Sequence, residues 1–487
     1  MNKENKSFYI TTTLPYVNAQ LHIGHAMEFT RADVLARYKV LMGYDVFFNT
    51  GSDEHGQKVL ESAHEKGLDT KEYVDSLVLG FKKLQENLSI SDDVHFIRTT
   101  DTKHISSAQE FWKKVSDAGY IYKKQYQAKY CVGCELEKMD SELVDNHCSI
   151  HPTREIQIMD EENYFFKFSD FTQPLLDYYN SHSDFVRPDF RFNEIKNFVE
   201  NGLQDFSISR LKSKMSWGVP VPGDDDHVMY VWFDALVNYV STLDWPDGEN
   251  FKKYWEDGQT VQICGKDNLR QQSAIWQAML MAAGLEPTNT ILINGFLVGA
   301  DGRKMSKSLG NGMYPEDVIE RLGADALRFY LVYETSPFED SPISFEMIQT
   351  SYTAHLVNGI GNLTNRIVKM ADSYNVEVVL PDKEDVWSDT EFVSSEFHEA
   401  FSDFNSQKAL HYLFKEIKDM DSFITKEEPF KKIKIDEAGA QEDVARLMLN
   451  LWYIGVLLEP FMPDTSDKIQ NAVMNKQVPE EPIFPRI

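Results

Sequence analysis

Apolar residues along the first fifty positions change period twice. Phe8 to Thr13 is a β-rich run, the stretch from about Gly24 to Met42 spaces its apolar residues at three and four, and Asp45 to Asn49 is β-rich again. Strand, helix, strand over this length is a βαβ unit, the building block of a parallel nucleotide-binding sheet. From roughly Tyr120 to Pro222 that regularity gives way to turns, cysteines and a Tyr-rich, mixed-charge texture, which reads as an inserted domain. Alternation resumes in "HVMYVWFDALVNYV", "TVQICGKDNLRQQSAIWQAMLMAAGL" and "TILINGFLV", which are expected to complete the interrupted sheet. The "GDDDH" around Asp224 reads as a solvated turn. From about Gln349 onward the strands stop and the long segments carry helical spacing alone, so the C-terminal third is expected to be a helical bundle.

The chain has 487 residues, about 42% of them apolar, enough for two or three cores. Its 49 Lys and Arg against 77 Asp and Glu give a formal charge of -28. That excess argues against non-specific attraction to DNA or anionic lipid, and leaves room for a nucleic-acid partner read by a small local surface. The start, "MNKENKSFYI", lacks the apolar core of a signal peptide, and no apolar run is long enough to span a membrane, so a soluble, cytoplasmic protein is expected. Four cysteines are too few for a disulfide scaffold and turn attention to metal or catalysis.

Three constellations carry chemistry. The loop "LPYVNAQLHIGHA" lies between the first strand and the first helix, where open α/β sheets bind ligands, and brings His22 and His25 to the helix mouth with Gly24 between them. Two imidazoles there can donate to phosphate oxygens; on spacing alone a metal pair or a satisfied surface fits as well. The second is "KMSKS", after the strand "TILINGFLV": Lys304 and Lys307 sit on a connector able to close over a triphosphate and neutralise departing pyrophosphate. The third is "CVGCE" with "CSIH": Cys131, Cys134, Cys148 and His151 have the spacing of one zinc knuckle, with all four positions filled by protein and hence a structural role.

"HIGH" at His22 to His25 and "KMSKS" at Lys304 to Ser308, in that order and separated by an insertion, resemble the signature pair of class I aminoacyl-tRNA synthetases. "TLPYVNAQLHIGHA", "GSDEHGQK", "YVWFDALVNY", "GKDN" and "DGRKMSKSLGN" resemble the blocks of the methionyl-tRNA synthetase family across the catalytic part of the chain. The resemblance implies a Rossmann-type parallel-sheet catalytic domain (1–118 and 226–320), split by a zinc-knuckle domain (119–225) and followed by a connecting segment (321–348) and an all-α anticodon-binding bundle (349–487). It implies formation of methionyl adenylate and pyrophosphate from methionine and ATP, then transfer of methionine to the terminal adenosine of tRNA(Met), with magnesium accompanying ATP and one structural zinc.

By the same resemblance His22 and His25 stabilise the α-phosphorus under attack, and Lys307 and Lys304 bind pyrophosphate. Asp53 takes the substrate ammonium. Leu14, Tyr16, Trp232, Ala235 and Tyr239 wall the side-chain pocket, where aromatic surfaces suit a thioether; the last three also recur at helical spacing, which a plain core stripe would show too. Asp267 seats ATP, and Arg210 reaches the active site from the insertion. Gln271 and Gln272 stand where the family has Phe-His, so Gln272 takes the position associated with sulfur recognition. Asn362 and Arg366, four apart on one helical face, are implied to read anticodon bases, with Phe430 as the stacking ring. No strand-rich segment follows the helices to form the appended barrel of some members, so a monomer is expected. Two other readings share these motifs: a non-catalytic tRNA-binding relative, and a class I synthetase of altered amino-acid specificity.

Overall fold

The computed structural model describes residues 6–133, 136–138, 143–303, 305, 313–390 and 393–487. Its centre is a six-stranded parallel sheet. The strands in chain order are β1 (Ser7–Thr12), β2 (Asp45–Ser52), β3 (His95–Arg98), β4 (Val186–Arg187), β5 (Gln259–Gly265) and β6 (Thr290–Asn294). They lie in the order β3-β2-β1-β5-β6-β4, every neighbouring pair parallel. Strand order therefore reverses between β1 and β5, and their carboxyl ends open a crevice of the kind that binds ligands in such sheets. Both faces of β1 and β5 are buried, as near-continuous apolar and β-branched runs require.

The first helix, α1 (Ile23–Leu41), runs from the end of β1 across the sheet, and the left-handed Gly43 (φ 80°) follows its last turn. Two oppositely charged residues fix it. Arg31 is buried and donates to Asn294 Oδ1 (3.1 Å), to Thr335 Oγ1 (2.8 Å) and to the carbonyls of Thr335 and Ser336. Asp33, fully buried, pairs with Arg328 at 2.7 Å and Arg37 at 2.8 Å. Arg328, on the helix α4 (Ala324–Tyr333), also donates to the carbonyls of Leu88, Pro460 and Phe461. Buried charges persist only when they are so paired or, as for Arg31, hydrogen-bonded on every side.

Three expectations are corrected. "HVMYV" does not enter the parallel sheet: Asp224–Met229 is the middle strand of a three-stranded antiparallel sheet with Ser209–Leu211 and Pro220–Val221. Asp224 is accordingly no solvated turn residue; its carboxylate holds Lys123 (2.9 Å), Tyr164 (2.9 Å) and His227 (3.0 Å). The insertion is also not separate from the parallel sheet, since β4, from its midst, forms the edge beside β6. The rest of the insertion is built on the long antiparallel pair Ile121–Cys131 with Gln157–Phe166. Beyond the short strand Ser341–Ile343 the described residues form helices and no further strand. Among the described residues no helix is long and apolar enough to cross a membrane.

Candidate active site

A cavity of about 550 Å³ opens at the β1/β5 crevice. Its lining brings together Leu14, Tyr16, His22, Gly24, His25, Asp53, Trp232 and Asp267, residues spread over some 250 positions. Met305, within the second basic motif, lines it too; Lys304 and Lys307 lie outside the described residues.

The histidines are set by helix-terminus chemistry. His22 is the N-cap of α1, and its Nδ1 accepts the Gly24 N–H at 3.1 Å, while His25 Nδ1 accepts the His22 N–H at 3.1 Å. Each ring thus satisfies one of the N–H groups that a helix start leaves over, the part normally played by Ser and Glu in a capping box. A neutral ring that accepts at Nδ1 carries its proton on Nε2, so both imidazoles are fixed as Nε2–H donors. Their centroids are 3.9 Å apart. Burial, then the neighbouring His22, pushes His25 down to about 3, so it stays neutral at every functional pH. A Cβ on residue 24 would stand 3.0 Å from the His22 ring, so glycine leaves that ring its place.

Opposite, the loop after β2 is held on both sides of Asp53. Glu54 turns away to Arg98 (2.6 and 2.8 Å), Thr100 and Ser52, and His55 turns away to Asp234 (2.8 Å). Asp53 itself is bridged through its backbone to the Tyr16 loop: Val17 N–H donates to Asp53 O (2.9 Å) and Asp53 N–H to Pro15 O (3.0 Å). Of the three side chains in "DEH", only Asp53 lines the cavity.

The remaining pocket residues divide. Trp232, on the short helix α3 (Val231–Leu236), lines the cavity; Ala235 and Tyr239 are buried behind it, so the three expected on one face do not share the cavity surface. Val237, between this helix and the turn Asn238–Ser241, keeps right-handed helical angles (φ -66°, ψ -13°), so the backbone continues helically past Leu236. Tyr239 accepts from Gln272 Nε2 at 2.7 Å, and its carbonyl accepts from Tyr9 Oη at 2.7 Å. Gln271 and Gln272 are both buried. Arg210 is not among the lining residues; it lies in a neighbouring cavity of about 690 Å³ with its guanidinium over the rings of Tyr230 (4.5 Å) and Tyr130 (5.0 Å).

Two charged cavity residues escaped sequence reasoning. Glu28 accepts the Thr13 N–H (2.7 Å) and hydroxyl (2.5 Å), and burial raises its carboxyl to about 7. It stands three residues after His25, hence on the same face of α1, a spacing that could have flagged it. Lys58 lies over the Tyr16 ring at 5.5 Å.

In the insertion, Cys131 and Cys148 are buried and converge with His151, the three ligand atoms all within 4.8 Å of one another, with Cys131 Sγ 3.9 Å from His151 Nδ1. The edge of a tetrahedron around zinc with ~2.3 Å bonds is about 3.8 Å, so these donors fit that ion. Cys134, the fourth expected ligand, lies outside the described residues. Gly133 is tied to the cluster: a Cβ there would stand 2.5 Å from the His151 ring. In the helical region Asn362 is exposed and Arg366 half-buried on α5 (Asn362–Ser373), Arg366 pairing with Asp421, and Phe430 is 45% exposed.

The family model "tRNA synthetases class I (M)" matches residues 8–141 and 133–368. The methionine–tRNA ligases of Thermotoga maritima and Streptomyces coelicolor are each 38% identical to the chain, over 97% and 96% of it and 76% and 90% of their own lengths. The chain belongs to the methionyl-tRNA synthetase family. Among solved structures, Mycobacterium tuberculosis methionyl-tRNA synthetase in complex with methionyl-adenylate superposes on this family member with a TM-score of 0.88 at 33% identity, covering 99% of this chain and 100% of that one. The apo form from the same organism gives 0.80 at 30% identity, covering 100% and 99%. Membership extends over the crevice, the insertion and α5 up to residue 368.

Proposed function

We propose that this protein is a methionine–tRNA ligase, which forms methionyl adenylate from methionine and ATP and then acylates tRNA(Met). The observation that carries the reading is the convergence of His22, His25, Asp53, Trp232 and Asp267 on one cavity at the sheet's switch point, in a chain of this family. Asp53 takes the ammonium of methionine and Trp232, with Leu14 and Tyr16, meets its side chain. An oxygen of the methionine carboxylate attacks the α-phosphorus in line; the bond from that phosphorus to the bridging oxygen breaks, and pyrophosphate leaves with the electron pair. The Nε2–H groups of His22 and His25 donate to the oxygens on which charge builds, and Lys304 and Lys307 take the pyrophosphate. Asp267 seats ATP, whose polyphosphate brings magnesium as counter-ion.

A terminal ribose hydroxyl of tRNA then attacks the acyl carbon and AMP departs. Positioning supplies much of this rate. Arg210 reaches toward the active site from the insertion, where Cys131, Cys134, Cys148 and His151 would hold a zinc ion that cross-links two short turns. The region 349–487 acts as the anticodon-binding bundle, with Asn362 and Arg366 at base edges and Phe430, an exposed ring, under a base. The protein acts as a cytoplasmic monomer.

The test is ATP–pyrophosphate exchange with each of the twenty amino acids, beside a Lys307→Ala control. Methionine-dependent exchange lost in the control supports the reading. Exchange with another amino acid would mean that Gln271 and Gln272 have redirected the pocket, and no exchange would leave a non-catalytic tRNA-binding relative.

A further inference from the structure

Behind the Asp53 wall lies a buried trio of titratable side chains that the chemistry above does not use. The Asp234 carboxylate meets His55 Nδ1 at 2.8 Å and His104 Nε2 at 2.9 Å, and the other nitrogen of His104 meets Ser241 Oγ at 2.9 Å. Asp234, His104 and Ser241 are wholly buried and His55 is 4% exposed. An ionised carboxylate only accepts, so each imidazole directs an N–H at it. Taking a carboxylate out of water is expensive without such donors, and a leucine of similar size would pack at less cost.

The trio joins parts far apart in the chain. His55 belongs to the loop after β2, His104 to the helix α2 (Thr102–Asp117), and Asp234 to α3. Asp53 precedes His55 by two residues and Trp232 precedes Asp234 by two, and both of these line the cavity. Asp53 is already bonded through its backbone to the Tyr16 loop, and the His55 ring is wedged edge-on against Trp217 at 5.8 Å. The hydrogen bond from His55 to Asp234 thus connects the wall that would receive an ammonium to the wall that would receive an apolar side chain. For a bound amino acid, the gap between these walls measures side-chain length.

We propose that Asp234 is a positioning residue for amino-acid selection: through His55 it sets the separation of Asp53 from Trp232, while His104 and Ser241 hold Asp234 in place. The proposal rests on the reading of the protein as an amino-acid-activating enzyme. The preferred ligand is an α-amino acid with an unbranched apolar side chain of one length, and loosening the trio relaxes the preference for that length.

The experiment is ATP–pyrophosphate exchange with wild type, Asp234→Ala, Asp234→Asn and Ser241→Ala, reading KM for methionine and for ATP separately, and kcat/KM for norvaline and norleucine relative to methionine. In Asp234→Ala the KM for methionine rises at least tenfold, the KM for ATP stays within twofold, and the preference for methionine over norvaline narrows. Asparagine can still bridge the rings, its carbonyl accepting from His104 and its amide donating to His55 in the reversed tautomer, so Asp234→Asn recovers most of the loss. Ser241→Ala frees one end of His104 and gives a smaller rise of the same kind; it carries the test should Asp234→Ala not fold. Equal movement of both KM values, or a lowered melting temperature with no split between them, overturns the inference. A wild type without methionine-dependent exchange overturns the underlying reading instead, before any variant is compared.

Discussion

His25 accepts the backbone N–H of His22 through Nδ1 at 3.1 Å, and this one bond decides which protonation state the ring can hold. The nitrogen that accepts cannot hold a proton, and burial together with His22 pushes the ring down to about 3. His25 is therefore a neutral N–H donor and not a cation. Its value lies below that of a free imidazole, so it contributes stability that is complete above about pH 6.5 and is lost as pH falls toward 3. Replacing it by asparagine, which keeps an N–H donor on a shorter reach, is expected to lower the exchange rate by about 10²- to 10³-fold, the usual cost of one displaced transition-state donor. Exchange measured from pH 6 to 8 should show the same ratio of variant to wild type throughout; a ratio that changes with pH would mean that His25 titrates in this range.

Glu28 gives the opposite sign. Burial raises its carboxyl to about 7, so the folded protein holds a proton that the unfolded chain has already released. Its contribution to stability is full below the unfolded value near 4.5 and is lost as pH rises through about 7. Glu28→Gln is neutral throughout and lacks that slope. The difference in unfolding free energy between wild type and variant should fall by roughly 3 kcal/mol between pH 4.5 and 7.5, as a shift of this size demands. Denaturant titrations without ATP at several pH values measure it, and a flat difference would show Glu28 ionised in the fold.

The contrast between these two neighbours shows what was legible in the sequence. His22, Gly24, His25 and Asp53 sit in contiguous words whose chemistry is local, and the strand, helix, strand period around them predicted β1, α1 and β2 within a few residues. Glu28 has no word of its own, and its role depends on Thr13 across the turn. The edge strand β4 is two residues long, too short for any period to register. Asp224–Met229 has a strand's composition, yet whether such a strand joins the parallel sheet or a small antiparallel one is decided by partners, Ser209–Leu211 and Pro220–Val221, that no pattern names. Helical spacing could place Trp232, Ala235 and Tyr239 on one face, but it cannot tell which of them reaches a cavity: only Trp232 does, while Ala235 and Tyr239 are buried.

Tyr239 is a test of the glutamine pair. Its hydroxyl accepts from Gln272 Nε2 at 2.7 Å, which leaves the phenolic proton free to donate elsewhere. Gln272→His keeps a ring N–H near that hydroxyl, and Gln272→Leu removes it. The KM for methionine should rise several-fold in the leucine variant, and it should move less with histidine, with the KM for ATP unchanged in both. Equal shifts of the two constants would place Gln272 in the general fold of the domain and not in selection.

The convergence of Cys131, Cys148 and His151 makes metal content measurable directly. Purified protein is expected to carry one zinc ion per chain, and Cys148→Ser should lower this to well under half. Gly133→Ala tests the geometry without touching a ligand: its Cβ would stand 2.5 Å from the His151 ring and push it off the cluster. Zinc release to a chromogenic chelator should be faster in that variant than in wild type. Equal rates would mean that His151 takes no part in holding the ion.

Arg328 makes the last prediction. Its guanidinium is wholly buried against Asp33 of α1 at 2.7 Å and also donates to the carbonyls of Pro460 and Phe461, so one side chain ties the helix that carries the histidines to the C-terminal helices. Arg328→Met preserves the apolar stem and abandons three carbonyls and a carboxylate in a site closed to solvent. Asp33 retains Arg37 and Ser91, which satisfy part of its demand. Breaking a buried pair in this way costs about 3–5 kcal/mol. Since the lost bonds cross between two parts of the fold, the cost should fall on their coupling as well as on each part, and calorimetry should show the melting transition of the variant broadened or split, with the first component displaced downward. A single transition displaced by less than about 1 °C would mean that apolar packing alone joins α1 to the C-terminal helices.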